Sequence, residues 1–403
     1  MHFSPDGGRL AVGSNDHSVV VWDLSSASVV DRLDGHAGPV LALAFSPDGG
    51  TLYSGGADNR VLVWDLTGRR RLVARIVDGG PRAGLAAAAI PSPPVDAVAY
   101  AGITGSGPET WFLDIASGRS SGVAVDRVDH PLVAWRSPDD QSVLVADHRD
   151  LRVWDCGTDR MTVHVVTDSD TTALASTADG TYSVVGDALG VVRRLDGGSL
   201  LPAGPPVRLD HPPTALAALP DGHVVAVSDD MTYAVIDLGA GTKVGGGDLG
   251  FAALAAAVSP DGSRLAVGGR RGEVGVFDLG TLDWLGPPRS IDREDVIGVS
   301  FAADGATFTT SSSDGTVRLW DGHTGDPIAG IRPGGGVPPA VAVDTTGGPD
   351  AIIATRDGAV YRLDTRFSSW QDFACAVAGR DLTTQEWTDV FGDRPYHATC
   401  PAG

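Results

Sequence analysis

The stretch from Gly35 to Leu66 decides the fold. It runs Gly35-His36, Val40-Leu-Ala-Leu-Ala-Phe45, Ser46-Pro-Asp-Gly49, Thr51-Leu-Tyr-Ser-Gly-Gly-Ala-Asp58, then Arg60-Val-Leu-Val-Trp-Asp65. Three short apolar strands are separated by two tight turns. In Ser-Pro-Asp-Gly the proline presets φ for the first corner, the aspartate bonds its own backbone and the glycine takes φ > 0. Ala57-Asp58-Asn59 marks the second turn. Val40–Phe45 and Val61–Trp64 are apolar on both sides, which predicts cover on both faces. Sheets stacked face to face satisfy that pattern; a free-standing hairpin does not.

The same pattern then repeats along the chain. A hydrophobe–aspartate pair closes each unit at Trp22-Asp23, Trp64-Asp65, Leu113-Asp114, Trp154-Asp155, Leu195-Asp196, Ile236-Asp237, Phe277-Asp278, Trp320-Asp321 and Leu363-Asp364. Successive spacings are 42, 49, 41, 41, 41, 41, 43 and 43. The first turn keeps step at Asp6, Asp48, Asp139, Asp179, Asp221, Asp261 and Asp304. A period of about 40–45 with Gly-His and Trp-Asp resembles the blades of WD40 β-propellers. The resemblance covers residues 1 to about 366 and implies an all-β protein of four-stranded antiparallel blades. By that resemblance His36, Asp58, Ser54 and Trp64 form a buried hydrogen-bonded chain within one blade. The physics agrees, because a buried imidazole or carboxylate needs a partner. A catalytic His–Asp–Ser reading is set below it, since the blade itself calls for these residue types.

Composition narrows the function classes. The 403 residues are 42% hydrophobic and 20% charged, the range of an ordinary globular chain. No apolar run approaches the roughly 18 residues of a membrane span, and the N-terminus lacks the pattern of a secretory signal. The expectation is a cytoplasmic protein. A net charge of −21 makes nucleic acid and anionic membranes poor partners. Lys243 is the sole lysine among 30 basic residues, a bias of GC-rich coding and a hint of a bacterial source. Cys156, Cys375 and Cys400 are too widely spaced for a disulfide framework or a Cys-x-x-Cys metal site.

Nine units exceed the 4–8 blades in which propellers usually close. Counting seven back from Leu363-Asp364 reaches residue 79, beside the one irregular spacing and the Gly-Pro break at Gly79-Gly80-Pro81. The expected division is therefore residues 1–78, two blades ending an upstream ring, and residues 79–366, a seven-bladed ring. A single eight- or nine-bladed ring is the alternative. The first unit lacks the early half of its first strand, so the N-terminus reads as cut. Two blades without neighbours should expose an apolar flank.

Residues 367–403 change character. Start and stop signals predict short helices over 368–378 and 384–391, with Trp370, Phe373 and Trp387 packed inward. This tail, from Ala374-Cys375 through Glu386-Trp387 to Cys400-Pro401, resembles the C-terminal signature of large actinobacterial proteins. In these a STAND-class NTPase or regulatory module precedes WD40 repeats. The resemblance implies that Cys375 and Cys400 belong to a packed tail, either close together or bonded. It also implies that an NTPase or regulatory module is missing from the N-terminus.

Chemistry-bearing motifs are absent from the sequence. There is no phosphate-binding Gly-x-x-x-x-Gly-Lys-Ser/Thr and no His-Glu-x-x-His. The reading predicts no catalytic residue, cofactor or metal. It predicts a protein–protein interaction scaffold, the sensor or docking region of a bacterial signalling protein. An enzyme or small-ligand propeller with its site at the central channel is the competing reading. For a scaffold, contacts fall on the turns between second and third strands and on the segments leading into each first strand. The candidates are Arg60, Arg149, Met231, Arg270, Arg271, Arg293 and Arg356, a rim suited to an acidic partner.

Overall fold

The computed structural model describes residues 1–25, 28–34, 36, 38–66, 73–77, 85–89, 97–104, 107–114, 120–124, 132–137, 142–155, 158, 160–177, 179–290, 294–331, 339–344, 350–355 and 360–364, with 366, 369, 375, 381, 383–385, 398 and 400 in the tail. Every sheet among them is antiparallel and built from consecutive strands, with one exception. Blade 1 is His2–Phe3, Arg9–Gly13, Ser18–Asp23 and Ser28–Asp34. Among the described residues blade 2 has three strands, Val40–Phe45, Thr51–Gly56 and Val61–Asp65. Blades 3 to 6 begin at Leu85, Leu132, Thr171 and Ala215, and each has four strands. Blade 7 starts at Ala253 and splits its outer strand into Asp283–Trp284 and Arg289–Ser290, both paired with Glu273–Asp278. Blade 8 spans Val296–Phe301 to Pro327–Ile331.

Blade 9 is the exception. Its strands Pro339–Asp344, Asp350–Thr355 and Val360–Asp364 are completed by Val73–Val77, which follows blade 2 in sequence. Val73–Val77, the first described strand after blade 2, thus pairs in blade 9. The boundary expected at residue 79 thus falls just after this strand. The chain divides into two compact units, 1–74 with 332–336 and 363–403, and 75–331 with 337–362. Within the larger unit the first strands of blades 3 to 9 touch in cyclic order, and that of blade 9 touches that of blade 3. Seven blades therefore close into a ring, and a borrowed outer strand ties its seam. Closure of this kind removes an unpaired edge.

Turn chemistry shapes each blade. At the first turn of blade 2, Ser46 Oγ donates to Asp48 at 2.5 Å, and Gly50 N–H donates to the same carboxylate at 3.0 Å. Gly49 takes φ +68°, the left-handed conformation glycine adopts without steric cost. Ser4–Asp6, Thr177–Asp179 and Ser259–Asp261 repeat the device. The core lies between blades. Ala11, Val19 and Val21 of blade 1 pack on Val40 and Leu52 of blade 2, and Val225 and Tyr233 of blade 6 pack on Leu265 and Phe277 of blade 7.

One expectation fails here. The strands of blade 2 were expected to be covered on both faces, yet Leu41, Tyr53, Val61 and Val63 are 73, 41, 71 and 64% exposed. Apolar character states what a face needs; it does not supply the neighbour.

In the tail, Ser369, Cys375, Thr384 and Gln385 are helical. The rest of the expected helices, including Trp370, Phe373 and Trp387, lies outside the described residues, as does Cys156. Cys375 and Cys400 form a disulfide with Cα atoms 5.5 Å apart. Spacing alone gave no sign of this pairing, because 25 residues of separation says nothing about distance in space. Asp381 fastens the same loop by accepting the Cys400 N–H at 2.7 Å.

Candidate interaction surface

Blade 2 brings His36, Asp58, Ser54 and Trp64 into one connected chain. His36 Nδ1 lies 3.0 Å from both carboxylate oxygens of Asp58, and its Nε2 lies 2.7 Å from Ser54 Oγ. Trp64 Nε1–H donates to the same Oγ at 2.7 Å. Asp58 also accepts the Arg60 N–H at 3.1 Å, which ties the chain to the second turn. Ser54 and His36 are buried, and every ring nitrogen in the set is occupied. A serine that accepts an indole N–H and binds a fixed imidazole is locked as a structural bridge, not presented to a substrate. Gly56 is a fifth member that the sequence reading omitted. A Cβ there would lie 2.5 Å from His36 Nδ1 and 2.6 Å from Asp58 Oδ1. The signal was available, since Gly55-Gly56 precedes the turn. Blade 8 keeps half the device: Trp320 Nε1–H donates to Thr310 Oγ1 at 2.8 Å.

The candidate rim residues that are described, Arg60, Arg149, Met231, Arg270 and Arg271, occupy the turns between second and third strands. In an antiparallel blade these turns share one end with the segments leading into first strands, so in the ring they line one rim. Arg149, Met231, Arg270 and Arg271 are exposed there. Arg60 is exposed on the corresponding turn of blade 2, in the other unit. Arg293 and Arg356 lie outside the described residues. The rim is mixed in charge, unlike the basic one expected. Arg270 pairs with Asp229 at 2.9 Å, Arg149 donates to the Thr167 carbonyl at 2.8 Å, and His211 lies 3.0 Å from Asp230. Counting arginines without the aspartates beside them produced the basic reading.

Met231 is 47% exposed with φ +73°, at the turn position filled by Gly190, Gly272 and Gly315 in three blades and by the equally left-handed His17 and Asn59 in two others. A bulky residue in the left-handed region costs roughly 1–2 kcal/mol. Beside it, between blades 5 and 6, opens a cleft of about 320 Å³. Its wall includes Ala226, Ala234 and Gly246, whose small size leaves the hollow, and its edge includes Asp210, His211 and Lys243. It reaches the outer strand of blade 6, Thr242–Asp248, away from the channel.

Perturbed carboxylates concentrate at the other ends of the blades. Hydroxyls of Thr177 and Thr181 and the Thr181 N–H hold Asp179 down to about 2. The Ser259 hydroxyl and Ser263 N–H, against a small desolvation cost, hold Asp261 well below the usual range. Asp6 and Asp48 are lowered by Ser4 and Ser46 in the same way. These groups are spread one per turn, each explained by its own turn. Among the described residues no cluster of three or more His, Cys, Asp or Glu is arranged to hold a metal. Among the described residues no helix is long and apolar enough to cross a membrane.

Comparison with known proteins agrees with this geometry. Residues 1–23, 27–65 and 289–321 match the family model for the WD domain, G-beta repeat. The U5 small nuclear ribonucleoprotein 40 kDa proteins of Pongo abelii and Mus musculus are 48% identical to this chain over 42 residues, and that of Homo sapiens is 45% identical over the same length. The aligned stretch is 10% of this chain and 12% of each relative. Blades 1, 2 and 8 thus carry WD40 repeats by sequence as well as by geometry, and the nine sheets have the fold of WD40-type β-propeller blades.

Proposed function

We propose that this chain is a non-catalytic protein–protein interaction scaffold whose partner docks on the ring rim that carries Met231. The observation behind this reading is Met231 itself. An exposed, flexible apolar side chain is held in a strained backbone conformation where glycine would fit without cost. Arg270, Arg271 and the adjoining cleft supply polar contacts around it. The partner is a protein surface of mixed charge, with no nucleic acid, membrane or cofactor involved. The tail signature supports placing this scaffold in a bacterial signalling protein, as the sensor or docking region that accompanies an NTPase or regulatory module.

The test is co-purification with the intact chain, with Met231→Asp/Arg271→Glu, and with Asp179→Asn as a control on the opposite side. A partner retained by the wild type and the control but lost with the rim variant supports the reading. Equal retention by all three sinks it. Cytoplasmic residence belongs to the proposal too, and the Cys375–Cys400 disulfide weighs against it, because thiols are kept reduced in most cytoplasms. Alkylation at the moment of lysis decides: two blocked thiols at these positions keep the chain in the cytoplasm, while an intact bond moves it to an oxidising compartment.

A further inference from the structure

The open face of blade 2 has equivalents in blades 1, 4 and 7, and all of those are covered. Aligning the strands on their closing aspartates matches Tyr53, Val61 and Val63 with Ala11, Val19 and Val21 of blade 1, Leu144, Leu151 and Val153 of blade 4, and Ala266, Val274 and Val276 of blade 7. Each of those nine residues is 2% exposed or less. What covers them is the same every time: the near face of the following blade.

A second feature shows how the following blade seats. Near the end of the second strand stands a glycine, and the first residues of the next blade press into it. A Cβ on Gly13 would lie 2.7 Å from Val40, one on Gly268 would lie 2.4 Å from Val296, and one on Gly186 would lie 2.3 Å from Pro213. Gly55 holds this position in blade 2. A Cβ there would meet nothing closer than Ala42 of its own blade, at 3.7 Å. The next described strand, Val73–Val77, does not fill the site, since it pairs in blade 9.

We propose that the exposed face of blade 2 is a docking surface for one further WD40-type blade, carried outside residues 1–403. Its first strand brings a valine, isoleucine or proline into the notch over Gly55. Its second and third strands present large apolar residues, as Leu265 and Phe277 do toward blade 6. A flat apolar face with a glycine notch at one end fits a sheet edge-on to its first strand; it does not fit a helix, whose side chains have another spacing.

The experiment compares the 403-residue chain with the same chain preceded by a copy of its own residues 132–331, five more blades. The chain alone binds the apolar dye 1-anilinonaphthalene-8-sulfonate through this face, so Val61→Glu/Val63→Glu lowers binding several-fold with little change in Tm. In the extended chain dye binding falls to the level of that variant. Gly55→Leu is neutral in the chain alone but restores dye binding in the extended chain by filling the notch. An extended chain that binds dye as the original does overturns the proposal. So does a dimer of the 403-residue chain, seen by sedimentation and dissociated by Val61→Glu/Val63→Glu, because the face would then belong to a second copy.

Discussion

Blade 2 and blade 8 separate two properties that are usually assumed to travel together. Blade 2 has the complete polar chain from His36 to Trp64, yet it has three described strands and one open face. Blade 8 lacks the equivalent of His36 and retains one bond of that chain, Trp320 to Thr310, but its Trp320, Phe308 and Thr309 are fully buried. Phe308 stacks on Trp320 with centroids 5.8 Å apart, and Phe301 lies 5.3 Å from Phe308. Motif completeness measures how well one blade is built internally. Burial depends on its neighbours.

The largest expected effect is therefore in the blade with the poorer motif. Trp320→Ala or Phe308→Ala should cost about 3–5 kcal/mol in denaturant unfolding, whereas Val63→Ala should cost less than about 0.5 kcal/mol. Similar losses at the two sites would break the contrast. Next come His36→Leu and Asp58→Ala, each about 1–3 kcal/mol because a buried polar partner is left behind. Gly56→Ala should join them, since its Cβ would collide with both residues. Trp64→Leu should be milder, as other blades close on leucine, isoleucine or phenylalanine. A reversed order in thermal melts would mean that the indole, and not the imidazole–carboxylate pair, holds the blade.

A smaller effect is spread over the turns. Asp179 sits at about 2 in the folded chain against 3.8 unperturbed, and Asp6, Asp48 and Asp261 are lowered as well. A carboxylate with a depressed folded pKa adds stability above its unfolded value, and that stability is lost as pH falls through the folded one. Tm should therefore drop between about pH 4 and pH 2, and Asp179→Asn with Asp261→Asn should flatten the drop. The smallest change is at the rim: Met231→Gly should raise stability by about 1 kcal/mol by relieving its left-handed backbone, while partner binding weakens. A destabilised glycine variant would remove the argument that strain is kept there for contact.

Much of this organisation was legible in the sequence because it is local or periodic. Trp64-Asp65 and its eight counterparts marked the third strands, and Asp6, Asp48 and Asp179 marked the first turns. The polar chain of His36, Ser54, Asp58 and Trp64 was implied by the resemblance to WD40 blades and lies within one blade. What escaped depends on contacts that no local pattern encodes. Val73–Val77 has the composition of an outer strand, but nothing in it names Val360–Asp364 as its partner. Cys375 and Cys400 are two cysteines until the tail loop folds back. The cleft by Lys243 exists because Ala226, Ala234 and Gly246 are small at facing positions, a coincidence visible only in register. The charge of the rim was misread for a similar reason, as Asp229 neutralises Arg270 from the neighbouring blade.

The borrowed strand also sets a timetable. Val73–Val77 leaves the ribosome early, and its partner Val360–Asp364 follows about 290 residues later. At about 5–20 residues per second that interval is roughly 15–60 s. For that time a β-strand with unmet backbone groups waits while six blades assemble after it. Anything that slows elongation lengthens its exposure, and anything that shields a strand edge protects the whole ring. The seam that makes the finished ring secure is thus the last part of it to become so.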